Sequence, residues 1–154
     1  MMRWWQYQKE RFPLFAHGPL ILVFSLSALS YSSLLRGYYA VPSFKVGLAA
    51  FFTCLLFFLQ LRIADEFKDH DDDLAYRPYR PVPRGLIKLK ELGYLLPITM
   101  LIQLLLAFWL RPSLIWLLLL VWLYWGIMWR EFFVPAWLKA HPLLYLASHM
   151  LIMP

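Results

Sequence analysis

Four long apolar runs set the terms for this chain: about Pro19 to Leu35, Val46 to Ala64, Leu92 to Leu110 and Ser113 to Met128. A helix needs roughly 20 apolar residues to cross a hydrocarbon core of about 30 Å, and each run approaches that length. No useful stretch shows the strict alternation of a half-buried strand. Hydrophobic residues make up 62% of the sequence and charged residues 16%, against about 45–50% and 25% in soluble domains. A single soluble core cannot bury that much apolar surface. The expected fold class is all-α: a polytopic transmembrane helix bundle forming one membrane domain over residues 1–154.

Around these runs the shorter segments fall into place. Met1 to Phe15 carries Arg3, Lys9 and Arg11 among Trp4, Trp5 and Tyr7, which reads as an interfacial segment at headgroup level. It lacks the short apolar region and small-residue cleavage site of a signal peptide, so the first span is expected to be retained. The run from Leu143 to Pro154 is too short for a fifth span. Four complete spans and a truncated fifth are therefore expected. The single cysteine, Cys54, allows no internal disulfide and reads as a small packed or lipid-facing residue.

The formal charge of +6 is not a nucleic-acid signal, because the basic residues form neither a stripe nor a tail; no nucleic-acid partner is expected. They instead report topology. With a cytoplasmic amino terminus, Arg3, Lys9, Arg11, Arg62, Lys68, Arg77, Arg80, Arg84, Lys88, Lys90, Arg130 and Lys139 lie inside, and only Arg36, Lys45 and Arg111 outside. That bias satisfies the positive-inside rule. It expects an integral membrane protein in contact with lipid, with the segment 65–90 facing the cytoplasm.

Between the second and third runs, Arg62 to Gly85 holds six of the nine acidic residues and five of the fifteen basic ones. Asp65, Asp69 and Asp73 recur every fourth residue, so a helix of 3.6 residues per turn places them on one face, drifting about 40° per step. Glu66 lies beside them. Unit charges about 6 Å apart repel by roughly 0.7 kcal/mol in water and about 3 kcal/mol at an effective dielectric of 20. Such a face calls for cations, and magnesium characteristically binds one or two carboxylates plus substrate phosphates. Arg77, Arg80 and Arg84 follow in a loop stiffened by Pro78, Pro81 and Pro83, and Lys68 lies within the acidic turn. Arginine forks across phosphate oxygens. The expected site is thus a diphosphate clamp: Asp65, Glu66, Asp69 and Asp73 for metal, Lys68, Arg77, Arg80 and Arg84 for diphosphate. Arg130 and Lys139 are weaker phosphate candidates on the same expected face. No nucleophilic triad, nucleotide-binding glycine loop or Cys/His zinc pattern is present.

The run Asp65-Glu66-Phe67-Lys68-Asp69-His70-Asp71-Asp72-Asp73, followed by Arg80-Pro81-Val82-Pro83-Arg84-Gly85, resembles the first signature of the UbiA-type intramembrane prenyltransferases. Their Asn-Asp-x-x-Asp-x-x-x-Asp run likewise ends the second helix and precedes an Arg-Pro loop. Asp65 stands for the family's Asn and Glu66 for its first Asp. The resemblance implies a magnesium-dependent enzyme, with manganese as a possible substitute, that transfers a prenyl group from a prenyl diphosphate to an acceptor the sequence does not identify. It also implies a second aspartate-rich motif facing the first, yet no aspartate follows Asp73. The chain is therefore expected to be an amino-terminal half, inactive alone and calling for a second half or an oligomer partner. The alternative is a non-catalytic membrane protein that binds or transports divalent cations. Transport would favour ionisable residues at mid-span, which the four runs lack.

Overall fold

A computed structural model of the chain describes residues 2–151, and every regular element among them is helical. The chain divides into two compact units, Met1–Leu106 and Ala107–Pro154. The first holds α1 (Met2–Arg11), α2 (Leu14–Leu35), α3 (Phe44–Lys68), α4 (His70–Tyr76) and most of α5 (Leu89–Leu110). The second holds α6 (Leu114–Trp129), a 3₁₀ turn at Glu131–Phe133, α7 (Pro135–Ala140) and α8 (Pro142–Met150).

Proline and glycine set most of the boundaries. Pro13, which lacks an N–H and restrains Phe12, separates α1 from α2 in an extended conformation. Gly37 takes the left-handed conformation just past α2, at φ +75, where a glycine stops a helix without steric penalty. Ser43 then caps α3, its hydroxyl accepting from the Val46 N–H. Pro97 lies inside α5, which continues on both sides of it.

Three helices, α2, α3 and α5, are long and apolar enough to cross a membrane. Only 11–17% of their most apolar windows is buried within the protein, so most of their Leu, Phe and Ile side chains need an apolar solvent outside it. The fourth expected span, α6, has 16 residues, about 24 Å at 1.5 Å per residue, and is shorter than the other three. The end of the expected fifth span lies outside the described residues; what is described of it is α8.

Within the first unit, α2 packs along α3. Gly47 lets Leu26 approach, and Phe24 meets Phe58 edge-on at 6.2 Å. Between α3 and α5 runs a buried polar chain. The Gln103 amide donates to the Thr53 carbonyl, and the Gln60 amide donates to both Gln103 Oε1 at 2.8 Å and Thr99 Oγ1 at 3.0 Å. Thr99 in turn donates to the Leu96 carbonyl. The Thr53 carbonyl can only accept, and this fixes the direction of every amide above it. Gln60 Oε1 is left with no donor among the described residues.

The second unit contains a strained turn. Glu131, Phe132 and Phe133 have φ of 48, 54 and 61, the left-handed region that costs L-residues about 1–2 kcal/mol each. Tyr124 packs on Phe132 and donates to the Ser148 carbonyl. His149 stacks on Tyr145 and bonds to its carbonyl within α8.

Candidate functional site

The acidic stretch starts on the last turn of α3 and continues into α4. The α3 helix ends at Lys68, Asp69 turns away from ideal helical angles (φ −92, ψ 8), and α4 resumes at His70. The four-residue spacing nevertheless survives as a backbone ladder. Asp69 donates to the Asp65 carbonyl at 2.9 Å, Asp73 to Asp69 at 2.8 Å, and Arg77 to Asp73 at 2.9 Å.

The side chains along that ladder meet different surroundings, as a drift of about 40° per step requires. Asp65 is exposed, Asp69 intermediate and Asp73 buried. Asp65 lies past the apolar part of α3, with Arg62 at 3.6 Å. Asp71 and Asp72 face solvent.

Asp73 is the acceptor on which the arginine loop converges. Arg80 Nη1 lies 2.7 and 2.6 Å from its two oxygens, and Arg77 Nη1 3.2 Å from Oδ1. Burial would raise the Asp73 pKa, but the hydrogen bonds and charge of Arg80, then of Arg77, outweigh it and hold the carboxyl below its ordinary value. Each guanidinium has five N–H donors and turns only Nη1 to Asp73, which leaves donors for an anion. The loop after α4 is irregular, as its prolines require. It closes with Gly85 at φ +78, where Gly85 N–H reaches the Val82 carbonyl and Leu86 N–H the Pro81 carbonyl. Arg84, on that turn, donates to the Tyr79 carbonyl at 3.0 Å and to Glu10 at 2.7 Å.

Sequence reasoning missed the part played by α1. Instead of only lying at headgroup level, this helix seats on the site. Tyr7 is buried in a cluster with Ile63, Val82, Ile87 and Leu92, and Trp4 packs against it. Three ion pairs tie α1 to three other segments: Arg11 to Glu66 on α3, Glu10 to Arg84 on the loop, and Arg3 to Glu91 on α5. The only sequence signal was the spacing of Trp4, Tyr7 and Arg11, which share one helical face. The Tyr7 hydroxyl has no hydrogen-bond partner among the described residues. Burial, then Glu66, pushes its pKa far upward, keeping it protonated.

The expected residues are thus gathered in part. Glu66 is buried against Arg11 and Asp73 against the arginines. Asp65 and Asp69 remain one turn apart at the membrane end of α3. Lys68 lies between them in sequence and is exposed. Arg130 and Lys139 belong to the second unit. Among the described residues no three His, Cys, Asp or Glu side chains are grouped to hold a metal ion. Magnesium asks less of the protein, since it keeps several waters and takes one or two carboxylates plus phosphate oxygens. Asp65 and Asp69 are two carboxylates that could serve such an ion.

No protein-family model, curated protein or solved structure matches this chain.

Proposed function

We propose that the end of α3 and the arginine loop form a magnesium-dependent site for the diphosphate of a prenyl diphosphate, the donor side of a prenyl-transfer centre at the cytoplasmic membrane face. The observation that carries this reading is the convergence of Arg77 and Arg80 on buried Asp73, one backbone-ladder step from Asp69 and two from Asp65, where an apolar helix leaves the membrane. A diphosphate ester with a long hydrocarbon tail has that polarity: its head needs cations at the interface and its tail needs lipid.

Asp65 and Asp69 would hold the metal, which when bound neutralises charge on the leaving diphosphate. Asp73, expected from spacing as a further metal ligand, instead sets Arg77 and Arg80 for the phosphate oxygens. Arg84 and Lys68 extend the anion-binding edge. Pre-placed guanidinium groups stabilise negative charge as it develops without reorganising during the step. In the transfer the bond from the allylic carbon to the diphosphate oxygen breaks, its electron pair leaves with the diphosphate, and the acceptor forms the new bond and gives up a proton.

The test is binding of a radiolabelled prenyl diphosphate to membranes carrying the chain, with and without magnesium. Magnesium-dependent binding is expected, and Asp69→Asn should weaken it at least about tenfold, roughly 1.4 kcal/mol. Equal binding by both proteins sinks the assignment. Magnesium or manganese binding that Asp69→Asn abolishes, with no diphosphate bound, would favour a cation-binding protein instead.

A further inference from the structure

The α1 helix presents one acidic side chain to the anion-binding loop. Glu10 reaches Arg84 Nη2 at 2.7 Å, both side chains are about one-third exposed, and the Gln6 amide steadies the same carboxylate oxygen at 3.1 Å. A carboxylate on a guanidinium occupies the place that a phosphate oxygen would take. We propose that Glu10 is a built-in competitor for the anion site, a carboxylate stand-in for the diphosphate on Arg84 that an incoming diphosphate must displace. The inference rests on the diphosphate reading above and adds regulation to that site.

The other contacts of α1 explain why the competitor is always present. Tyr7 is buried between α3, the loop and α5, and the Arg11–Glu66 pair beside it is nearly excluded from water, the Glu66 side chain being 1% exposed. Breaking such a buried pair is strongly unfavourable, so the helix stays seated. Glu10 is thereby held within reach of Arg84 at high effective concentration. Its own pair is different in kind: about one-third exposed, joined by one described hydrogen bond from Arg84, and released by rotation of a single side chain. The arrangement combines a fixed anchor with an exchangeable head. It keeps Arg84 neutralised in the empty site and yields to a ligand carrying more negative charge than one carboxylate.

The experiment compares binding of geranylgeranyl diphosphate and of inorganic diphosphate, each with magnesium, to the full chain in membranes. Glu10→Gln should tighten both about two- to fivefold, the range of an exposed ion pair, because both ligands carry the displacing head. Glu91→Gln removes the same charge and another ion pair of α1 but none of the anion-site groups, and should leave binding unchanged. In an Arg84→Gln background, Glu10→Gln should have no effect, the signature of direct coupling. If the wild type binds in a manner lost in Asp69→Asn, while Glu10→Gln binds equally or more weakly, the competitor is overturned and the diphosphate site stands. Equal tightening by Glu10→Gln and Glu91→Gln also overturns it, in favour of general charge. If neither the wild type nor Glu10→Gln binds either ligand, the diphosphate reading fails and the competitor fails with it.

Discussion

Asp73→Asn removes the negative charge on which Arg77 and Arg80 converge and turns one of its two acceptor oxygens into an NH2 donor. Arg77 is about half-exposed and Arg80 about one-fifth exposed, so water takes over part of what Asp73 supplied, and thermal unfolding in detergent should report a loss of about 1–3 kcal/mol. The pH dependence supplies a second readout. Because the folded carboxyl titrates below its unfolded value of about 3.9, its stabilising contribution is complete above that value and disappears as pH falls through the depressed folded pKa. Acidification from about pH 6 to pH 3 should therefore destabilise the wild type more than Asp73→Asn. At this scale the sequence showed which residues carry charge but not which charges meet. Arg11 and Glu66 are 55 positions apart, and no local spacing links them. Neither does spacing show that Asp65, Asp69 and Asp73 end in three different environments. The 3.6-residue period predicts a shared face, whereas its drift and the irregular angles at Asp69 decide which carboxylate is buried.

Among the elements, the best-read were those whose boundaries are set by proline, glycine and apolar length: α2, α3, α5 and the irregular loop before α5. The same chemistry makes the loop testable. Gly85 has φ +78, and a Cβ there would meet nothing within 4 Å, so replacement by alanine carries backbone strain alone, about 1–2 kcal/mol. The turn also sets Arg84, whose N–H reaches the Arg80 carbonyl. Gly85→Ala should thus lower stability by that amount and weaken diphosphate binding together. Gly126 offers the contrast: it is helical and equally open, so Gly126→Ala should raise stability by about 0.4–1 kcal/mol with no effect on binding. The seat of α1 and the Gln60–Gln103 chain were harder to foresee. Each is made by side chains from helices distant in sequence, and a glutamine in an apolar run has no periodic signal of its own. No charge lies at the span centres, but a directional amide network joins α3 to α5.

For the whole molecule, the number of membrane crossings turns on α6. The α2, α3 and α5 helices have the necessary length. A helix of 16 residues such as α6 falls several ångströms short of an average hydrocarbon core. Local bilayer thinning and snorkelling of flanking side chains accommodate such a mismatch at fractions of a kcal/mol per Å. The charge distribution gives the stronger argument. Arg111 precedes α6, and Arg130 and Lys139 follow it. A crossing α6 leaves one basic residue outside and carries two to the cytoplasmic side, as the positive-inside rule favours. Single cysteines introduced into a Cys54→Ser background would decide it. With a membrane-impermeant maleimide on oriented vesicles, Tyr39→Cys should react from the outer side and Tyr79→Cys from the cytoplasmic side. Lys139→Cys should side with Tyr79→Cys, giving four crossings. Labelling of Lys139→Cys together with Tyr39→Cys would return α6 to the outer side and leave three. Labelling of Tyr79→Cys from outside would invert the chain and move the arginine loop out of the compartment assigned to its diphosphate ligand.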